Sequence, residues 1–372
     1  MNSLNAQHRE VATVLGLPFD CLSMGQSIAQ LERTITTKSR CFLSTPNLNF
    51  AVHARSDEAF FSSVLHSDMV IADGMPIIWV AKLLNIPLKK RIAGSSLFEA
   101  LGKKSREKPL RIFFFGGEGD AAKQAMAKLS TLSENMHACG FINPGMGSVE
   151  TMSSAQIIQQ INDSNADFLL VALGAKKGQQ WIMRNRDRLN VPVISHLGAV
   201  VNFVAGKIER APDRWQKAGC EWLWRIVQEP SLFKRYFYDG GYFLYLLVGR
   251  VLPLAIYQRV LTNILVKSPS VRLTSDRNDN CLEVSLQGSA VMRNNRLLKA
   301  ACQNALNEPC TILRHVRINC AELEYFDSAA LGTLLLFKAA LLARDQTLSF
   351  YNVSARIERL MSLHMVRNYL LN

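Results

Sequence analysis

Six apolar runs, most of them closing on polar residues or glycine, most constrain how residues 1–205 can fold. They read CFLST, MVIAD, RIFFFGG, HACGFI, DFLLVALG and VPVISHLG. Helical patterns such as DAAKQAMAKLSTL and SAQIIQQINDS follow most of them. Strands that are apolar throughout need cover on both faces, and strands alternating with helices pair in parallel. The sequence therefore predicts an α/β core with a parallel sheet. Polar residues at the ends of such strands are where an open α/β sheet holds its chemistry. Thr45-Pro46-Asn47, Asp73-Gly74 and the isolated Arg91 are the first candidates.

The chain then changes character. From Gly206 to Lys267 it carries ten Lys and Arg against five Asp and Glu, interleaved with Trp, Tyr and Phe. Its most apolar part, 241–257, contains Arg250 and Pro253 and is short for a span of about 20 residues. Such a segment suits a helix in the membrane interface, with a helical hairpin packed on the core as the plainer alternative. The stretch 267–280 is rich in Ser and charge and reads as a linker. Beyond it, strand-like CLEVSLQGSA, TILRHVRINCAEL and TLSFYNV alternate with helical patterns, enough for a second small α/β domain. The expected organisation is a core at 1–205, a basic aromatic appendage at 206–266, a linker at 267–280 and a small domain at 281–372.

A net charge of +13 suits an anionic partner: nucleic acid, an acidic membrane or a phosphorylated substrate. Nucleic acid is the weakest of these, because no basic helix or aromatic strand motif accompanies the charge. The eight cysteines show no C-x-x-C spacing, which fits reduced thiols in a cytosolic protein better than disulfides or zinc. The N-terminal residues lack a basic stretch followed by an apolar run, so no secretory signal is expected.

Gly116-Gly117-x-Gly119 lies between a strand and a helix, a turn able to aim backbone N–H groups at phosphate. No acidic residue ends the next strand, HACGFINPG, which argues against NAD but leaves a nucleoside diphosphate open. A turn that needs glycine for packing alone is the alternative. Asp73 at a strand end is placed to take a proton from a hydroxyl nucleophile, or else simply to cap a helix. D-x-D after a strand, H-E-x-x-H and G-x-S-x-G are all missing from the sequence, so neither a metal site nor a serine hydrolase has support.

In order along the chain, STPNLNF, IADGMPIIW, KKRIAGSSLF, FFFGGEGDAA, FLLVALGAKKGQQWI and GKIERAPDRWQKAGCEWLWRIVQEP resemble the WecG/TagA/CpsF glycosyltransferases over roughly residues 10–240. The resemblance implies a Rossmann-like fold and an inverting, metal-independent transferase without a cofactor. It would move a sugar of the N-acetylmannosamine type or a related hexose. The sugar would pass from a UDP donor to a polyprenyl-diphosphate-linked sugar in surface polysaccharide synthesis. The enzyme would be cytoplasmic and peripheral on the inner face of the membrane. The family's base falls on Asp73, its active-site threonine and asparagine on Thr45 and Asn47, and its core arginine on Arg91. Arg210, Arg225 and Arg235 correspond to the basic segment that closes over the site, with Arg225 placed in the catalytic group. Cations beside a departing diphosphate stabilise its charge as a metal does elsewhere.

Two positions depart from that pattern. Gly178 replaces the family's glutamine in Lys176-Lys177-Gly178-Gln179, with Gln179 as the expected substitute in substrate binding, and Asn202 stands where aspartate is common. The C-terminal region, with its DSAALG loop, resembles the STAS domain of anti-sigma-factor antagonists, a module that binds protein partners. The family's phosphorylated serine falls on Ser328, and Ala330 stands where glycine is usual; a helix cap is the plainer role for Ser328. Gly178 and Asn202 keep a second reading open, a weakened transferase core serving as a STAS-containing scaffold.

Overall fold

The computed structural model describes residues 9–88, 90–217, 219–265, 271–278, 280–309 and 313–372. The chain forms two compact units. One comprises Leu22–Met75 and Lys90–Gly241; the other comprises Met1–Cys21, Pro76–Lys89 and Tyr242–Asn372. This division differs from the sequence boundaries, because residues 9–21 and 76–88 group with the C-terminal region.

In chain order, the strands begin with an antiparallel hairpin, β1 (Val11–Val14) and β2 (Leu17–Asp20). A six-stranded sheet follows, made of β3 (Cys41–Ser44), β4 (Met69–Val70), β5 (Leu110–Gly116), β6 (Met136–Ile142), β7 (Phe168–Ala172) and β8 (Val193–His196). Its order is β4-β3-β8-β7-β5-β6, and every pairing is parallel. The six apolar runs of the sequence are these six strands. Apolar side chains cover both faces. Ile112, Phe114 and Leu170 face one core, while Phe113, Phe115 and Leu169 face the other. Phe115 stacks on the fully buried Trp181, with ring centroids 4.2 Å apart. Parallel pairing brings the carboxyl ends of all six strands to one edge.

The second unit holds a four-stranded sheet of β9 (Val271–Asn278), β10 (Cys281–Ala290), β11 (His315–Phe326) and β12 (Thr347–Tyr351), ordered β12-β11-β10-β9. β10, β11 and β12 are parallel, and β9 is antiparallel to β10. Most of the expected linker is therefore an edge strand. Its sequence, VRLTSDRN, is polar and charged because an edge strand must avoid pairing with other chains, and that composition imitates a linker. Residues 267–270 and 279 of the expected linker lie outside the described residues.

Helix Ser328–Leu342 is buried along nearly its whole length, so it needs apolar neighbours all round. The β1–β2 hairpin supplies some of them. A side chain in place of Gly332 would come within 3.3 Å of Val11 Cγ2 and 3.4 Å of Ala12 Cα, so glycine permits the close approach. The hairpin turns at Leu15 and Gly16, with φ of 50° and 81°, the left-handed pair that a two-residue hairpin loop requires. Arg9 closes the hairpin's base by a bidentate, buried pair with Asp20, both contacts 2.8 Å.

Candidate active site

Thr45 and Asn47 leave the carboxyl end of β3, and Asp73 leaves that of β4. Backbone bonds stitch these ends together. The Asp73 N–H donates to the Pro46 carbonyl at 2.9 Å, and the Ile92 N–H donates to the Ala72 carbonyl at 2.9 Å. Gly74, with φ of 153°, approaches Asn47: a Cβ there would lie 3.5 Å from Asn47 Cβ. Thr45 is buried, and its Cγ2 would lie 3.7 Å from a Cβ on Gly94. Asn47 caps helix Leu48–His53, its Oδ1 accepting from the Phe50 N–H at 3.2 Å. The cap engages that oxygen and leaves the amide N–H₂ as the group able to donate to a ligand.

Asp73 is half-buried, and its Oδ2 accepts from the Gly94 N–H at 3.3 Å. Gly94 is the first residue of helix Gly94–Lys103, so the carboxylate faces the positive end of a helix other than the one that follows it. Burial raises the Asp73 pKa above its ordinary 3.8; Arg91 and the Gly94 N–H oppose the rise, Glu221 adds to it, and Arg225 opposes it again. A carboxylate with raised pKa is a stronger base once ionised.

Arg91 donates to Glu221 Oε2 at 2.5 Å, with both side chains largely buried. Glu221 opens helix Glu221–Gln228 in the basic appendage, so the appendage meets the strand ends here. Arg225, one helical turn on, pairs with Glu229 at 2.9 Å, and its buried Nε has no hydrogen-bond partner among the described residues. Gly219 brings the same segment against Met75: a Cβ there would sit 2.8 Å from Met75 Cγ. Arg91, Glu221 and Arg225 thus surround Asp73. Arg210 is turned to Glu99 and to Ser96 Oγ, the latter at 2.8 Å. Arg235 lies over the Tyr236 ring at 5.1 Å and acts electrostatically on Asp239; no interaction places it at Asp73.

Three expectations meet a different geometry. Gln179 is fully buried, and its Nε2 donates to Ser44 Oγ at 3.0 Å. It faces beneath the strand end, not into the site, because on helix Ala175–Asn185 it turns inward beside Trp181 and Ile182. The Gly117 N–H donates to the Ala172 carbonyl at 2.8 Å, and a Cβ on Gly116 would lie 2.7 Å from that same oxygen. Those two glycines serve the close passage of β5's end against β7, the packing alternative, and the Gly117 N–H is already engaged. Ser328 is buried at the start of its helix, so its hydroxyl is not presented to a modifying enzyme in this conformation.

Two features of the unit escaped the sequence reading. Asn49 donates to both carboxylate oxygens of Asp239, at 3.1 and 3.4 Å. Asp239 is buried and its pKa raised by that burial, so helix Phe233–Leu246 is tied beside the helix that Asn47 caps. His196, at the end of β8, packs against Gly178: a Cβ at 178 would fall 2.3 Å from His196 Cδ2. Nothing in the structure explains asparagine at 202. Among the described residues, no three His, Cys, Asp or Glu side chains gather as a metal site requires.

The model of the glycosyl transferase WecG/TagA/CpsF family matches residues 12–255, and that of the Mlab, STAS domain matches residues 273–371. The N-acetylglucosaminyldiphosphoundecaprenol N-acetyl-beta-D-mannosaminyltransferase of Bacillus subtilis (strain 168) is 27% identical over 227 residues, 61% of this chain and 87% of its own. Its namesake from Bacillus spizizenii is 25% identical over 209 residues, 56% of this chain and 79% of its own. The one from Staphylococcus aureus (strain MW2) is 23% identical over 221 residues, 58% of this chain and 84% of its own. With the family model matching residues 12–255, more than half of the chain, the chain belongs to the WecG/TagA/CpsF glycosyltransferases and carries a C-terminal STAS domain.

Proposed function

We propose that the enzyme transfers a sugar from a UDP donor to a polyprenyl-diphosphate-linked N-acetylglucosamine, with inversion and with Asp73 as general base. The supporting observation is the placement of Asp73, a carboxylate of raised pKa between Arg91 and Arg225. Asp73 takes the proton from the acceptor hydroxyl as that oxygen attacks the anomeric carbon. The bond to the donor's diphosphate breaks on the opposite side, and UDP leaves with the electron pair. Arg225, and Arg91 once a phosphate displaces Glu221, balance the charge that develops. Thr45 and the Asn47 amide lie where hydroxyls of the sugar would hydrogen-bond. The relatives' names supply the acceptor and the N-acetylmannosamine type of sugar.

The acceptor's lipid implies a membrane surface. Helix Pro230–Leu261 is 32 residues long and apolar enough to cross a membrane by length and composition, longer than the sequence suggested. Its faces differ, however. Leu246, Val251, Leu254 and Ala255 are buried, whereas Tyr245, Val248, Leu252, Ile256 and Val260 are exposed at helical spacing. Gln258 and Tyr257 engage His364 and Arg359 of the STAS domain. A helix packed on protein along one side and apolar on the other suits the interface of a bilayer, not its interior. The STAS domain, whose relatives bind proteins, is read as an interaction module at that surface.

The test is UDP release from a panel of UDP-sugars with polyprenyl-diphosphate-N-acetylglucosamine as acceptor. Acceptor-dependent release with one UDP-sugar supports the reading. No release with any of them, from protein that sediments with anionic liposomes, favours the scaffold alternative.

A further inference from the structure

The family's glutamine is missing at 178, and Gln179 is engaged with Ser44 beneath the strand end. The space that a side chain at 178 would take is filled from another element. A Cβ there would lie 2.3 Å from Cδ2, 2.9 Å from Cγ and 3.2 Å from Nε2 of His196. His196 closes β8, and the next residue, Leu197, would meet a Cβ on Gly94 at 2.4 Å. Gly94 is the residue whose N–H holds Asp73. The imidazole therefore stands in the same strand-end wall as the base, with Phe50 at a centroid distance of 6.5 Å on one side. Its Nε2 is buried and makes no hydrogen bond among the described residues. A buried polar atom without a partner destabilises a fold and calls for an explanation, a ligand that pairs with it being one.

We propose that His196 is a specificity-determining contact for the donor, pairing through Nε2 with a hydroxyl or acetamido group of the sugar of the nucleoside-diphosphate sugar. This inference rests on the donor-dependent transferase reading above. The chemistry selects the sugar over the diphosphate. Burial lowers the His196 pKa to about 4, so near neutral pH the ring is uncharged and offers a hydrogen bond, not a cation. Hydroxyl and amide groups suit a neutral imidazole, whereas phosphate suits the nearby guanidiniums. Gly178 and His196 then act as a matched pair, the ring occupying the space that a side chain at 178 would take.

Isothermal titration with UDP and with UDP-N-acetylmannosamine separates the possibilities. For His196→Ala, affinity for the UDP-sugar should fall about tenfold, as for one lost hydrogen bond, with affinity for UDP unchanged. His196→Gln, which keeps a donor and an acceptor, should recover part of that loss. Gly178→Gln alone should lower the melting temperature, and adding His196→Gly should restore it. Equal UDP-sugar affinity in wild type and His196→Ala would overturn the proposal while leaving the transferase reading intact. So would a parallel loss of UDP affinity, which would mark a structural role. Wild-type protein that binds neither ligand would remove the donor reading and this inference together.

Discussion

Two aspartates of this chain follow strands and have their pKa raised by burial, yet their surroundings differ. Asp327 follows β11 and receives three backbone N–H groups: Ala329 and Ala330 donate to Oδ1, both at 2.9 Å, and Met292 donates to Oδ2 at 2.7 Å. Its opposing influences are those same backbone N–H groups. Asp73 receives a single N–H at 3.3 Å, and its other influences are Arg91, Glu221 and Arg225. Asp327 is thus held by three backbone donors, as a helix cap is. Asp73 keeps lone pairs for a ligand, among charges that a diphosphate can rearrange. Residue type and place on a strand do not separate a helix cap from a proposed base; the difference between them lies in the partners.

The strongest way to break this comparison is to neutralise each aspartate. Asp73→Asn keeps the shape and removes the base, so turnover should fall by about 10²–10⁴-fold while donor affinity, read by titration, holds. Asp327→Asn should leave turnover unchanged but turn an amide N–H₂ toward the Met292 N–H. Chemical denaturation should register a loss of about 0.5–2 kcal/mol, the range for a lost cap. If Asp327→Asn silenced turnover as Asp73→Asn does, the distinction would collapse.

A smaller effect sharpens the same point. Because the folded pKa of Asp73 lies above its ordinary 3.8, its ionisation opposes folding. The favourable contribution is complete below 3.8 and is lost as pH rises through the folded pKa. Asp73→Asn should therefore melt slightly higher than wild type at pH 7, and the gain should vanish below pH 3.8. A variant that melts lower at pH 7 would show that the carboxylate is structural.

The six-stranded sheet was legible because a parallel strand buried on both faces must be apolar at every position, as RIFFFG is. The placement of Thr45, Asn47, Asp73 and Arg91 followed from strand polarity together with family motifs. What stayed hidden depended on partners distant in sequence. β9 carries the charges of a protected edge and so imitates a linker. VATVLGLPFD gives no hint that its hairpin lies on a helix more than 300 residues later. Gln179 points inward and His196 fills the space beside Gly178 because of how a helix is rotated on its sheet, which spacing alone did not fix.

The most direct test of Asp73 as a base set by its charged neighbours is the pH dependence of kcat in wild type, Glu221→Gln and Arg91→Met. If Asp73 is the base, activity requires its ionised carboxylate, and turnover should rise with pH along an acid limb centred above 3.8. Removing Glu221, which raises the pKa, should move that limb to lower pH; removing Arg91, which lowers it, should move the limb to higher pH. Limbs that coincide in all three proteins, or that shift in the same direction in both variants, would contradict the account.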